Sequence, residues 1–146
     1  MKDVERREGD TWRGRPSSHQ SPFSNLLHWA PPLAWMGLIF FLSSQSRLPS
    51  HPQPAIARLM ETGGHMFAFG MLWALLWRAM MKSWPSGRVV WWAFLVSLLY
   101  AGGDEYHQTF VPGRHGTVVD LGVDILGMLV AWGLIAWRQR SGEPLL

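Results

Sequence analysis

The sequence predicts an all-α polytopic membrane protein with four transmembrane helices and both termini in the cytoplasm. Three observations lead there: four apolar windows nearly free of charge, an abundance of tryptophan, and a lopsided distribution of lysine and arginine. At 146 residues the chain has the length of one domain and shows no internal repeat. Ten tryptophans and an aromatic content of 13% are rich for a soluble protein and typical of helices whose ends sit at a lipid–water boundary. The mean hydropathy of +0.03 conceals this, because a polar tail dilutes it.

That tail comes first. Residues 1–24, MKDVERREGDTWRGRPSSHQSPFS, concentrate charge without a helical or alternating period and read as a disordered cytoplasmic arm. Residues 25–140 read as the four-helix transmembrane domain. Its first window, Leu26–Ser46, is opened by Pro31-Pro32 and filled by LAWMGLIFFL. The second, Thr62–Trp77, is followed by Arg78 and Lys82, and the third, Val89–Gly103, is bounded by Arg88 and Asp104. The fourth, Leu121–Trp137, is broken only by Asp124 and closed by Arg138 and Arg140. A spanning helix takes about 20 apolar residues, so the second and third windows qualify only if their helices carry polar neighbours into the boundary layer. A soluble four-helix bundle would place charges on its outer faces at helical spacing, and none are seen. Reading the first window as a cleaved signal segment, with Ser44-Gln45-Ser46 as its small-residue site, demands an unusually long leader.

Orientation follows from the basic residues. The amino tail, the connection holding Arg78, Lys82 and Arg88, and the carboxyl end with Arg138 and Arg140 share one side and carry ten of them. Arg47, Arg58 and Arg114 make three on the other. Excess positive charge stays inside, so the stretch Gln45–Met60 and the stretch Asp104–Asp120 face outward. The absence of cysteine excludes disulfides, thiolate metal sites and cysteine nucleophiles.

The outward side collects the ionisable groups. Glu61 and His65 are four apart at the start of the second span, and Asp104, His107 and Gln108 share a face at the end of the third. Asp120 and Asp124 are again four apart at the start of the fourth. Charged groups at membrane depth are costly and face a bundle interior or a wet cavity, which marks them as functional candidates. Pro112-Gly113 has the residue types of a type II turn, which would fold Arg114, a forked donor for carboxylate or phosphate, back over the helix ends. Each residue also has a purely structural reading. Thr117-Val-Val-Asp120 approximates a capping box, Glu61 could serve the second helix likewise, and His107 and His115 could be solvated loop residues. Arg114 could pair with Asp104 or Asp120. Asp124, a turn deeper than any cap, resists such a reading, because a bare carboxylate there is costly.

The run DEYHQTFVPGRHGTVVDLGVDILG resembles the signature of the VanZ-like proteins, matched by Asp104, Glu105, Gln108, Phe110, Arg114, Asp120 and Gly127. FFLSSQS at Phe40–Ser46 is similar to the end of that family's first helix, and Glu61-x-x-x-His65 with Phe69 to its acid-Lys-x-x-His-Phe-x-x-Tyr segment. Thr62 stands where the family usually has Lys, Met66 where it has Phe, Phe69 where it has Tyr and Asp124 where it has Asn, so the site is more anionic here. The resemblance implies a multi-pass protein of the bacterial cytoplasmic (inner) membrane and a link to the glycopeptide teicoplanin and antibiotic resistance. The expected partners are membrane lipids and a lipid-linked envelope precursor, with no nucleic acid. Three classes of function stay open. One is a binding protein of the cell envelope with an outward polar pocket of Glu61, His65, Asp104, Glu105, Gln108, Arg114, Asp120 and Asp124. Another is an intramembrane enzyme acting on a lipid head group. The third is a proton-coupled transporter using Asp124. No cofactor is expected beyond a divalent cation that Glu61, His65, Asp104 and Asp120 could hold.

Overall fold

The computed structural model describes residues 22–46 and 52–142. They form four α-helices and, among those residues, no strand: α1 Pro22–Ser43, α2 Pro54–Ser83, α3 Val89–Gln108 and α4 Val118–Arg140. Of the expected tail, residues 1–21 lie outside the described residues, while Pro22–Ser24 open α1.

The second, third and fourth apolar windows each lie within one helix, which outruns the window by taking in polar neighbours, whereas the first ends three residues beyond α1, at Ser46. α2 extends over 30 residues and absorbs Arg58, Glu61, Arg78 and Lys82. It starts at Pro54, whose fixed φ and missing N–H suit a first helical turn. The connection expected over Gln45–Met60 is therefore shorter, because Pro54–Met60 belong to α2. Pro31 and Pro32 do not open α1 but lie inside it. A proline in a helix interior removes the bond to the carbonyl four residues back, and α1 continues through both. α4 starts from Thr117, whose hydroxyl accepts the N–H of Asp120 at 3.1 Å.

α2 is the central element and packs against α1, α3 and α4, whereas α1 and α4 do not touch. Two glycines explain how closely α2 and α4 approach. A Cβ on Gly70 would lie 2.8 Å from the carbonyl oxygen of Gly127, and one on Gly127 would collide with the backbone carbonyl of Met66. Only a residue without a side chain lets the backbones meet there. The two helices run parallel, with His65 beside Asp124 and Gly70 beside Gly127 and Ala131. Around this contact Phe69, Leu72, Trp73 and Leu76 pack against Ile39, Ala93, Ala101 and Met128.

α1 and α3 also run parallel to each other. The Tyr100 hydroxyl donates to the carbonyl of Met36 at 2.6 Å, and Ser44 Oγ meets His107 Nε2 at 3.1 Å. At the opposite end of the bundle the Trp29 indole donates to Ser83 Oγ at 3.1 Å. The up-down arrangement thus gathers the ends of α1 and α3, the first half of α2 and the start of α4 at one end.

By length and composition one helix among the described residues, Val118–Arg140, can cross a membrane, and Leu27–Ser43 is a shorter apolar stretch. The other helices dilute their apolar runs, α2 with Glu61, Gly63, Gly64 and His65, α3 with Asp104 and Glu105. Polarity nevertheless runs from inside to outside. Asp104, Glu105, Gln108 and Asp124 are buried, while Phe40, Phe41, Leu99, Leu126, Val130 and Leu134 are exposed.

Candidate functional site

The end of the bundle just described draws one ionisable side chain from each of three helices. His65 of α2 places Nδ1 3.0 Å from Oδ1 of Asp124 on α4 and 3.8 Å from Oε1 of Glu105 on α3. Asp124 is fully buried and Glu105 only 7% exposed. The carboxylate of Glu105 is held from behind, where Oε2 accepts the backbone N–H of Thr117 at 2.8 Å. That contact is possible because Gly116 lies directly on the backbone of Glu105, where a Cβ would have no room. Phe69, one turn on from His65, stacks against its ring. Two carboxylate oxygens, Asp124 Oδ2 and Glu105 Oε1, are buried and accept no hydrogen bond from any described residue.

Beside this cluster opens a cavity of about 560 Å³ among α1, α2, the end of α3 and the turn that follows it. Its apolar wall includes Ile39, Leu42, Met60 and Phe69, and its polar lining includes Glu61, His65, Asp104, Gln108 and Arg114. His65 is common to cluster and cavity. Gln108 Nε2 donates to Asp104 Oδ2 at 2.9 Å, so these two form one buried polar unit on α3. Arg114 reaches the rim through the expected turn. The N–H of Arg114 donates to the carbonyl of Val111 at 3.1 Å, and Gly113 takes the positive φ of +82° that a type II turn requires. Its Nη1 lies 3.9 Å from Oε1 of Glu61, while its buried Nε meets no acceptor among the described residues.

Several sequence expectations are corrected by this geometry. Arg114 faces Glu61, not Asp104 or Asp120, because the turn directs it across to α2. Asp120 stays with its own helix start, where Thr117 Oγ1 donates to Oδ2 at 2.7 Å, so the capping reading of Thr117–Asp120 describes it. Glu61 lies two turns inside α2, which carries no acid in its first turn, so it caps nothing. His107 meets Phe40 of α1 and Ser44, the residue just after that helix. Of Glu61, His65, Asp104 and Asp120, the first three line the cavity, while Asp120 bonds to Thr117 at the start of α4. Among the described residues the group that comes together is His65, Glu105 and Asp124, whose ligand atoms all lie within 4.8 Å of one another.

Helical spacing alone did not single out Glu105, which entered only through the resemblance. A signal was present: Ala93, Ser97 and Ala101 recur every fourth residue, and all are buried. The next member of that stripe is Glu105.

Comparison with known proteins agrees with the motif. The family model described as VanZ/LLP1 matches residues 11–139, which include all four helices except Arg140, the last residue of α4. No curated protein and no solved structure matches the chain.

Proposed function

The chain belongs to the VanZ/LLP1 family, and from that premise we propose that it is an integral protein of the bacterial inner membrane that engages the head group of an amphiphilic cell-envelope component. In this reading all four helices span the bilayer, both termini are cytoplasmic and the cavity faces outward. Polar groups on the inside and large apolar side chains on the outside suit lipid as the surrounding solvent.

The observation that carries the reading is the cavity's two-sided lining. Ile39, Leu42, Met60 and Phe69 offer an apolar wall to an acyl or polyprenyl chain, and Arg114, Glu61 and Gln108 stand at its polar side. A buried guanidinium Nε without an acceptor suits an anionic oxygen, and a forked donor suits phosphate or carboxylate. The carboxylates of Glu61 and Asp104 suit hydroxyl or amine donors. A head group with both features is that of a phosphate-linked sugar carrier, a lipid-linked envelope precursor. By holding such a component the protein would modulate susceptibility to glycopeptides such as teicoplanin.

The test is mass spectrometry of lipids retained by the full-length protein after detergent purification, beside Arg114→Ala. We expect an anionic amphiphile enriched over bulk membrane lipid in the native protein and lost from the variant. Retention of bulk lipid alone, or equal retention by both proteins, would refute the reading.

A further inference from the structure

The three-helix cluster beneath the cavity has a chemistry that amphiphile binding leaves unused. His65, Glu105 and Asp124 bring two carboxylates and an imidazole within 4.8 Å of one another from α2, α3 and α4. Two of their oxygens, Asp124 Oδ2 and Glu105 Oε1, are buried with no donor among the described residues. A buried carboxylate oxygen without a donor is unfavourable; Glu105 Oε1 lies 3.8 Å from His65 Nδ1, and Asp124 Oδ2 belongs to the carboxylate whose other oxygen meets the same nitrogen at 3.0 Å, so one cation among the three side chains would satisfy both groups. We propose that His65, Glu105 and Asp124 form a site for one divalent cation of the zinc type.

The spacing fits. Ligand atoms held at roughly 2.0–2.2 Å from a tetrahedral ion lie about 3.3–3.6 Å apart, and Nδ1 of His65 sits 3.0 Å and 3.8 Å from its two carboxylate neighbours. The charges also fit. Two carboxylates neutralise a divalent ion while the imidazole binds as a neutral donor, and the ion takes the place of the proton between His65 Nδ1 and Asp124 Oδ1. Mixed imidazole and carboxylate donors favour a borderline ion over magnesium or calcium. The outer contacts resemble those that orient metal ligands: Thr117 N–H on Glu105 Oε2, and Phe69 on the imidazole face. Three protein ligands leave a fourth position open, and His65 borders the cavity. The site stands whether or not the cavity takes an amphiphile.

The experiment is titration of the full-length, detergent-purified, chelator-treated protein with Co2+ and Zn2+, followed by elemental analysis and visible absorption. One ion per chain is expected. Glu105→Gln and Asp124→Asn replace an anionic ligand by an amide of the same shape and should weaken binding at least by the roughly 10–100-fold that loss of an outer partner costs. Asp120→Asn, outside the cluster, should bind as the native protein does. His65→Cys should add a thiolate-to-Co2+ charge-transfer band, a signature that holds even if an amide variant fails to fold. A folded native protein that takes up neither ion, or amide variants that bind with native affinity, would overturn the site in favour of a proton shared between His65 and Asp124. Metal uptake and amphiphile retention are read separately, so either proposal can fail alone.

Discussion

Nδ1 of His65 lies 3.0 Å from Oδ1 of Asp124, a polar contact between α2 and α4 one turn from the place where Gly127 meets the backbone of Met66. The two features depend on each other. The glycine contact sets the separation of the helices, and that separation sets the distance across which the imidazole and the carboxylate meet. Asp124 is fully buried, so it needs such a partner to offset its desolvation.

Removing Asp124 should therefore loosen the pairing of α2 with α4. In chelator-treated protein, Asp124→Asn keeps an oxygen acceptor for His65 and should melt close to the native protein. Asp124→Ala leaves the imidazole without its partner and should cost about 1–3 kcal/mol. Thermal melts of both variants in detergent, with a double-mutant cycle to His65→Ala, check this. Additive losses would show that the contact does not couple the helices.

Gly127→Ala probes the other half of the relationship. The new Cβ would strike the carbonyl of Met66, so the helices must separate, at a cost of about 1–3 kcal/mol for overpacking. Gly122→Ala on the same helix meets open space and should be neutral or slightly stabilising, since alanine favours helix. Equal melting of the two variants would remove the close approach as a determinant of packing.

The sequence made the four helices legible, and particular residues explain where it stopped. Charge-poor windows announce helices because a long apolar run with terminal arginines has few other solutions, and Pro112-Gly113 announced its turn because few dipeptides supply that pair of angles. The burial of Asp124 was legible from its depth below Asp120. The membership of the cluster was not. Glu61 and His65, Asp104 and Gln108, and Asp120 and Asp124 are equivalent pairs by four-residue spacing. Which member faces inward depends on the rotation of each helix. Helices apolar on nearly every face carry little amphipathic signal to fix that rotation. It is set instead by contacts such as Gly70 with Gly127 and Gly116 with Glu105, which appear only once the chain is packed.

Arg114 should behave as a ligand-binding residue and not as a structural clasp. The acid within ion-pair distance of it among the described residues, Glu61, is 3.9 Å away with a side chain 57% exposed, a geometry in which an ion pair contributes little. Arg114→Ala should therefore fold, with stability within about 1 kcal/mol of native, while losing the retained amphiphile. Arg114→Lys keeps the charge without the fork and should fall between them. If Arg114→Ala instead fails to accumulate as folded protein, the turn of residues 111–114 is a structural element first.

Orientation decides whether any outer-leaflet component can reach the cavity. His115 lies in the connection after the turn, beside the cluster, and Ser86 in the connection between α2 and α3 at the opposite end of the bundle. The excess of lysine and arginine on the Ser86 side predicts that it stays in the cytoplasm. The native chain has no cysteine, so single cysteines give no background. In intact cells His115→Cys should react with a membrane-impermeant thiol reagent, and Ser86→Cys should react only after permeabilisation. The opposite pattern would turn the cavity to the cytoplasm and leave it to cytoplasmic-leaflet ligands alone. Protection of both positions until permeabilisation would mean that neither connection is outside, and a four-span protein with cytoplasmic termini cannot give that result, because the connection between its third and fourth helices must emerge on the far side.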